Sequence, residues 1–170
     1  EMASPWSCPG AAPPPALCPA GETPVSVFSD DMEKGTNWSI GSTSGTNWTL
    51  RAGFAKSGFR AAHGEDPAVI SDHRLAMASF VPVPAGARMY FDHAFEFEHG
   101  GPFNFDGGVI EYSTDGTNWT DAGSLIDAGQ AYGGVLDAGN ILGARSAFVR
   151  NSFGYTGTRL NLASLASQIV

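Results

Sequence analysis

Acidic side chains in two short segments are the residues best suited to hold a metal ion. Asp30, Asp31 and Glu33 stand close together in DDME, and Asp66 and Asp72 lie in HGEDPAVISD. Calcium takes about six to eight oxygen ligands, which the loops at one end of a β-sandwich can supply as carboxylates and carbonyls. No EF-hand spacing is present, and the same residues could equally form turns and caps. The residues alone leave both interpretations open.

The chain lacks the familiar catalytic motifs. It has no HExxH, no GxSxG and no glycine-rich phosphate loop, which are the signatures of zincins, α/β-hydrolases and nucleotide-binding enzymes. Its four histidines, His63, His73, His93 and His99, lack metal-ligand spacing. A glycosidase needs paired carboxylates, and although Glu96, Glu98, Asp106 and Glu111 could be chosen, any acidic β-sandwich offers as many. The sequence predicts no catalytic residues and a non-catalytic protein.

Three copies of the tetrapeptide GTNW place a tryptophan directly after a turn signal. They end at Trp38, Trp48 and Trp119. Exposed, coplanar indoles would line a sugar-binding face, whereas buried indoles would fill a core. The first two copies are also consistent with a short duplication, but we favour recurrence of a turn that suits a following tryptophan.

Composition limits the class of protein. The chain has 170 residues, 22 Gly, 11 Pro and a formal net charge of −8, which fits one turn-rich domain large enough to bury a core. An acidic domain repels phosphate backbones, so nucleic acid is an unfavourable partner. No apolar run approaches the roughly 20 residues of a membrane helix, so no membrane span is expected.

The first part of the chain differs from the rest. Residues 1–24 are rich in Pro, Ala and Gly, a composition that favours extended backbone, and they are predicted to be a linker or lead. Cys8 and Cys18 both lie there. Their close spacing in a protein expected to be exported suggests a small disulfide loop, and two free thiols are the alternative.

Short segments with strand character fill residues 25–170. In residues 87–98, Met89, Phe91, His93, Phe95 and Phe97 alternate with polar residues, which predicts a strand with one face on the core and His93 as a core histidine. Asp115-Gly116 predicts a hairpin with a type I′ turn. The predicted strands are residues 25–29, 38–41, 47–52, 68–71, 75–83, 87–98, 108–114, 118–122, 146–153 and 158–162. The series predicts an all-β fold, an antiparallel β-sandwich of the jelly-roll type.

Several of these segments resemble a known family. DDMEKGTNW resembles the opening motif of MAM-like jelly-roll domains, and HGEDPAVISDHRL, MYFDHAFEFE, DGGVIEYSTDGTNWTDAGS and FVRNSFGYTGTRLNLASLA follow in the family's order. The series is similar to accessory domains attached to secreted bacterial metallopeptidases of the fungalysin and immune-inhibitor-A types. The most specific block spans residues 106–119, and the resemblance covers about residues 27–165.

The resemblance implies a non-catalytic sandwich that binds a structural calcium ion. By position it assigns the metal to Asp31 and Glu33, with Asp72 as a weaker candidate, although Met32 replaces the usual aromatic residue between the acids. Asp66, in the same loop as Asp72, is a further weak candidate from the residues alone. Family members usually continue with a further strand and a closing acidic segment. We therefore expect the C-terminal strands to be missing here and to come from the remainder of the same precursor or from a second chain. A shorter domain closed by residues 163–170 is the alternative.

Together these observations predict a secreted, extracellular bacterial protein that scaffolds or binds within a larger, peptidase-associated assembly. Its expected partners are a neighbouring domain, a second chain, or an extracellular polysaccharide or protein. The alternatives are a carbohydrate-binding module and an assembly subunit of a surface complex.

Overall fold

The computed structural model describes residues 16–45 and 47–170, and the regular secondary structure in them is almost wholly β-strand. Thirteen strands and two short 3₁₀ helices are present in these residues, and every pair of strands is antiparallel. The all-β prediction is confirmed. The sheets have two or three strands each, so a closed jelly-roll sandwich is not established.

Residues 26–81 form one compact unit with two small sheets. Strand β1 (Trp38–Ser42) pairs with β4 (His73–Met77), and β2 (Thr49–Ala52) pairs with β3 (Arg60–His63). The predicted strands at 38–41 and 47–52 are thus found, and the prediction for 75–83 is right only at its start. Residues 68–71 form no strand, because Val69 and Ile70 are exposed and pair with nothing in a ladder.

The other compact unit comprises residues 82–170 together with residues 16–25. Its central sheet has the order β10 (Ile126–Gly129), β13 (Thr156–Asn161), β5 (Arg88–His93). The middle strand β13 is the most buried, and Leu160 and Thr158 on it are fully enclosed. The predicted strand at residues 158–162 is confirmed with a shift of two residues toward the N-terminus at its start.

The remaining strands of this unit are two residues long. They are β6 (His99–Gly100) with β7 (Phe103–Asn104), β8 (Glu111–Tyr112) with β9 (Thr120–Asp121), and β11 (Gly134–Val135) with β12 (Ser146–Ala147). A small core of Leu136, Ala147 and Val149, with Val109 and Leu142 against it, lies among them. Single bridges join Gly108 to Phe148 and Glu96 to Asn151.

The strand predicted over residues 87–98 is shorter than its alternation suggests. It ends at His93, and beyond it only Glu96 makes a ladder contact. Met89, expected to be buried, is 38% exposed, whereas Phe91, Phe95 and Phe97 are half-buried and Glu96 and Glu98 are exposed as expected. The register of the strand is therefore right, but its apolar face is only partly covered.

The hairpin predicted at Asp115-Gly116 is present, with Glu111 opposite Asp121 and Tyr112 opposite Thr120. Its turn is not type I′, which requires positive φ at both central residues. Only Gly116 has positive φ, at 73°. Asp115 instead holds the loop, because its Oδ1 accepts the backbone N–H groups of Thr117 and Asn118 at 2.8 and 2.7 Å.

Near the N-terminus of the described chain, Cys18 carries a free thiol. Cys8 lies outside the described residues, so the predicted Cys8–Cys18 disulfide finds no support. Residues 25–29, expected to be a strand, form none, and Val25 is fully open to solvent. None of the helices in residues 16–45 and 47–170 has the length and apolar character that crossing a membrane requires.

The last residues of the chain pack against the segment that precedes β5. The backbone N–H of Ser167 donates to the carbonyl of Val83 at 2.8 Å, and the backbone N–H of Val83 donates to the backbone carbonyl of Gln168 at 2.9 Å. Ile169 bridges Pro82 in antiparallel fashion. Residues 167–169 thus extend the backbone pairing of their unit.

Candidate functional site

Glu33, the first predicted calcium ligand, holds a backbone turn. Its Oε1 accepts the N–H groups of Phe59 and Arg60 at 2.5 and 2.9 Å. These two hydrogen bonds favour the charged carboxylate and lower the pKa of Glu33. Gly58 lies against the same oxygen at φ 68°, where a Cβ would collide with it. The carboxylate therefore binds the backbone N–H groups at the start of β3.

Asp31 and its neighbour Asp30 form the turn that leads to Glu33. The Oδ1 of Asp31 accepts the N–H of Glu33 at 3.1 Å, and that of Asp30 accepts the N–H of Met32 at 2.6 Å. Met32 has φ 61°, a left-handed conformation that is uncommon for a residue with a side chain. The turn-forming alternative describes these two aspartates well.

Asp72 and Asp66, the weaker candidates, are not brought to that turn by any contact in the structure. Asp72 forms an ion pair with Arg74, with Oδ2 at 2.7 Å from Nε. Asp66 is exposed in the loop between β3 and β4. Within the described part of the chain, no three His, Cys, Asp or Glu side chains are close enough to hold a metal. The calcium assignment stays a prediction.

Trp38 and Trp48 pack against neighbouring residues of their own unit. Trp38 packs edge-on against Phe28, with ring centroids 6.2 Å apart, and a Cβ on Gly64 would lie 3.3 Å from the ring of Trp48. Both indole N–H groups are buried without a hydrogen-bond partner among the described residues. These two rings fill space in the unit of residues 26–81. Trp119, which belongs to the other unit, is 46% exposed.

His93 is a core histidine, as predicted. Its ring lies 4.7 Å from Phe91 and from Phe148 and 5.4 Å from Phe95, measured between centroids. The hydroxyl of Thr158 donates to the carbonyl of Gln130 at 2.7 Å, so its oxygen accepts the Nε2–H of His93 at 2.8 Å. Burial lowers the pKa of His93 to about 4 and keeps the ring neutral. The negative charge of Asp92 raises this pKa, but its effect is smaller than that of burial.

A surface depression of about 440 Å³ lies beside this aromatic cluster, and sequence reasoning missed it. Its lining residues are Asp121, Gly123, Ser124, Ala131, Tyr132 and Ser146. The Tyr132 ring packs edge-to-face on Phe148 at 4.9 Å. Its hydroxyl accepts the Ile110 N–H at 2.8 Å and donates to the Ile110 carbonyl at 3.3 Å. Burial raises the pKa of Tyr132 to about 12, although the hydrogen bond from the Ile110 N–H lowers it in part.

The polar side of the depression is fixed by a three-residue charge network. Arg145 donates to Glu111 at 2.7 Å and to Oδ2 of Asp121. The other oxygen of Asp121 accepts the N–H of Gly123 at 2.7 Å. No motif joins these residues, because they are brought together only by the pairing of β8 with β9 and by the chain turn before β12.

A second feature of this unit is a pair of exposed phenylalanines on and after β7. Phe103 and Phe105 are 53% and 41% exposed, and their rings lie 6.2 Å apart with only 16° between their planes. The backbone beneath them is held at two points. The backbone N–H of Phe105 donates to the backbone carbonyl of Glu98 at 3.0 Å, and the side-chain amide of Asn140 donates to the Phe105 carbonyl at 2.8 Å.

No known family model, curated protein or solved structure matches this chain. The resemblance to MAM-like accessory domains therefore stays a prediction from motifs.

Proposed function

We propose that this chain is a non-catalytic accessory domain of a secreted protein and that it binds an extracellular polysaccharide. The observation that carries the proposal is the pair Phe103 and Phe105. The two neighbouring rings are nearly parallel and exposed on backbone that hydrogen bonds hold in place. Single exposed apolar residues are normal in folded proteins, but aromatic rings presented together mark binding surfaces.

The hydrogen-bonded backbone beneath this pair supports binding further. Backbone that is already ordered loses little conformational entropy when a ligand covers it, so more of the contact energy appears as affinity. In contrast, Glu33, Asp31 and Asp72, three of the carboxylates predicted to bind calcium, bind backbone N–H groups or an arginine. The aromatic surface of residues 82–170 is therefore the feature that suits an accessory binding role.

The test is co-sedimentation of the purified chain with insoluble cellulose, chitin and mannan. We expect the chain to sediment with at least one polymer, and Phe103→Ala/Phe105→Ala to bind about tenfold more weakly, a loss of about 1.4 kcal/mol. Phe59→Ala is the matched control, because Phe59 is 65% exposed in the other unit. A chain that stays in the supernatant with every polymer, or a double variant that sediments like the parent, contradicts the proposal.

Calcium stabilisation stays part of this proposal only as a prediction from the resemblance. A cation that binds only the folded chain stabilises it by mass action. If the prediction holds, excess EDTA lowers the melting temperature by several degrees. An unchanged melting curve, for protein shown by elemental analysis to be free of metal, contradicts it.

A further inference from the structure

We propose that the depression at Asp121 and Tyr132 is a binding subsite for one ring of a neutral saccharide. The inference rests on the proposed function and adds a ligand class and a site to it. The depression is open to solvent and has a volume of about 440 Å³, and small-molecule sites combine an apolar wall with a few fixed polar groups.

The aromatic wall is Tyr132, and its position is fixed from two sides. Its hydroxyl is bound to both backbone groups of Ile110, and its ring stands perpendicular to Phe148 at 4.9 Å. The phenol oxygen is thus occupied, and the half-buried ring lines the depression beside Gly123. A sugar ring has an apolar C–H face, and a rigid aromatic wall is the surface on which such a face packs.

The polar groups opposite still have capacity to form hydrogen bonds. An ionised carboxylate accepts about four hydrogen bonds, and Asp121 accepts one from Gly123 and one from Arg145. Its side chain is 39% exposed, so a ligand hydroxyl can reach it. The hydroxyls of Ser124 and Ser146, which also line the depression, form no hydrogen bond with any residue that the structure describes.

The charges of the depression select a neutral ligand. Glu111, Asp121 and Arg145 sum to one negative charge, and Arg145 is already shared between both carboxylates, so an anion would meet repulsion and no unpaired cation there. An apolar ligand would strip water from Asp121 and two serines without replacing its hydrogen bonds. A neutral polyhydroxy ring satisfies the carboxylate, the serines and the aromatic wall together.

Two substitutions of Tyr132 separate ligand contact from folding. Tyr132→Phe keeps the ring but removes both hydrogen bonds to Ile110, so it lowers the melting temperature and leaves saccharide affinity within about twofold. Tyr132→Leu removes the ring, and we expect affinity to fall about tenfold or more. A purely structural role for Tyr132 would make affinity follow stability in both variants.

A third variant alters an exposed residue. The hydroxyl of Ser124 forms no hydrogen bond with any described residue and Ser124 is exposed, so Ser124→Leu breaks no side-chain hydrogen bond, adds bulk to the depression and should abolish binding. Ser79→Leu is the matched control, because Ser79 is an exposed serine of the other unit.

The measurement is isothermal titration of the full chain with cellohexaose, chitohexaose and mannohexaose up to about 10 mM, enough to detect a millimolar Kd. We expect at least one of them to bind, with the losses described above. Absence of binding by all three, or binding that is unchanged in Tyr132→Leu and Ser124→Leu, overturns the inference. If Phe103→Ala/Phe105→Ala loses polymer sedimentation while these two variants bind as the parent does, the site is wrong and the proposed function stands. If oligosaccharide binding depends on Tyr132 but no polymer is sedimented, the proposed function fails and the site stands.

Discussion

At the residue scale, the recurring GTNW sequence has a structural explanation. In the copies at residues 35–38 and 116–119 the glycine has positive φ, at 69° and 73°. The asparagine side chain then donates to a preceding aspartate, Asn37 to Asp30 at 2.6 Å and Asn118 to Asp115 at 2.7 Å. The hydrogen bonds that Asp115 accepts, chiefly from Asn118, hold the pKa of Asp115 well below its usual range. These two copies lie in different units and share one local geometry, which fits a turn that recurs where it suits a following tryptophan.

His93 makes stability depend on pH. Burial lowers its folded pKa to about 4, whereas an unfolded histidine titrates near about 6.5. Between these pH values His93 binds a proton in the unfolded chain but not in the folded chain. The free energy of unfolding therefore falls as pH drops from about 6.5 to about 4. Allowing for partial solvent access, the loss is about 1–3 kcal/mol.

Urea unfolding at several pH values in this window measures that loss. His93→Gln cannot take up a proton and should lose correspondingly less stability on acidification. The carboxylates titrate in both proteins, so the difference between the two curves isolates the histidine. Identical losses in the parent and in His93→Gln would show that His93 is not buried as described.

At the element scale, several strands of four to six residues lie where the sequence predicts them, whether largely exposed like β1 and β2 or buried like β13. Residues 156–161 form the central strand of a three-stranded sheet, and the β-branched and apolar residues there are sufficient to predict it. The strands β6, β7 and β11 span two residues each, too short to show any alternation. The same limit applies to the depression, because Asp121, Tyr132 and Arg145 are joined by loops and strand ends without a motif.

The aromatic cluster around Phe148 connects these short elements, and its members should differ in energetic weight. Phe148 is buried and contacts His93, Phe95 and Tyr132, so Phe148→Ala should cost about 3–5 kcal/mol through lost burial and a cavity. Phe95 is half-buried, so Phe95→Ala should cost clearly less. Urea unfolding provides both values, with the exposed Phe59→Ala as a control within about 0.5 kcal/mol of the parent. Equal costs for Phe148→Ala and Phe95→Ala would contradict this ranking.

At the scale of the whole molecule, burial is unequal between the two compact units. All fully buried side chains of the described residues lie in the unit of residues 82–170, and residues 26–81 contain none. Opening free energies follow local burial, so segments with few buried contacts exchange their amide hydrogens first.

Hydrogen exchange followed by mass spectrometry tests this inequality. Peptides that cover β5 and β13 should be protected longest, and peptides that cover β1 to β4 should exchange earlier at every time point. Chelated and calcium-loaded samples should be compared, since a cation bound near Asp31 would slow exchange in residues 26–81 selectively. Equal protection of β4 and β13 in metal-free protein would contradict the prediction.

The charge of the chain determines which polymers it can bind. The chain has seventeen acidic and nine basic residues. Four of the arginines are each paired with a carboxylate, namely Arg51, Arg74, Arg145 and Arg159. Binding to a neutral polysaccharide involves no counterion release, so it should change little between about 50 and about 500 mM NaCl. Polygalacturonate and double-stranded DNA should not be retained at either concentration, because the net charge repels them.

Affinity electrophoresis in gels that contain each polymer measures this directly, with a non-binding acidic protein as the mobility reference. Retardation by DNA or polygalacturonate, or a steep loss of neutral-polymer binding with salt, would mean that unpaired cations and not the aromatic surface carry the interaction.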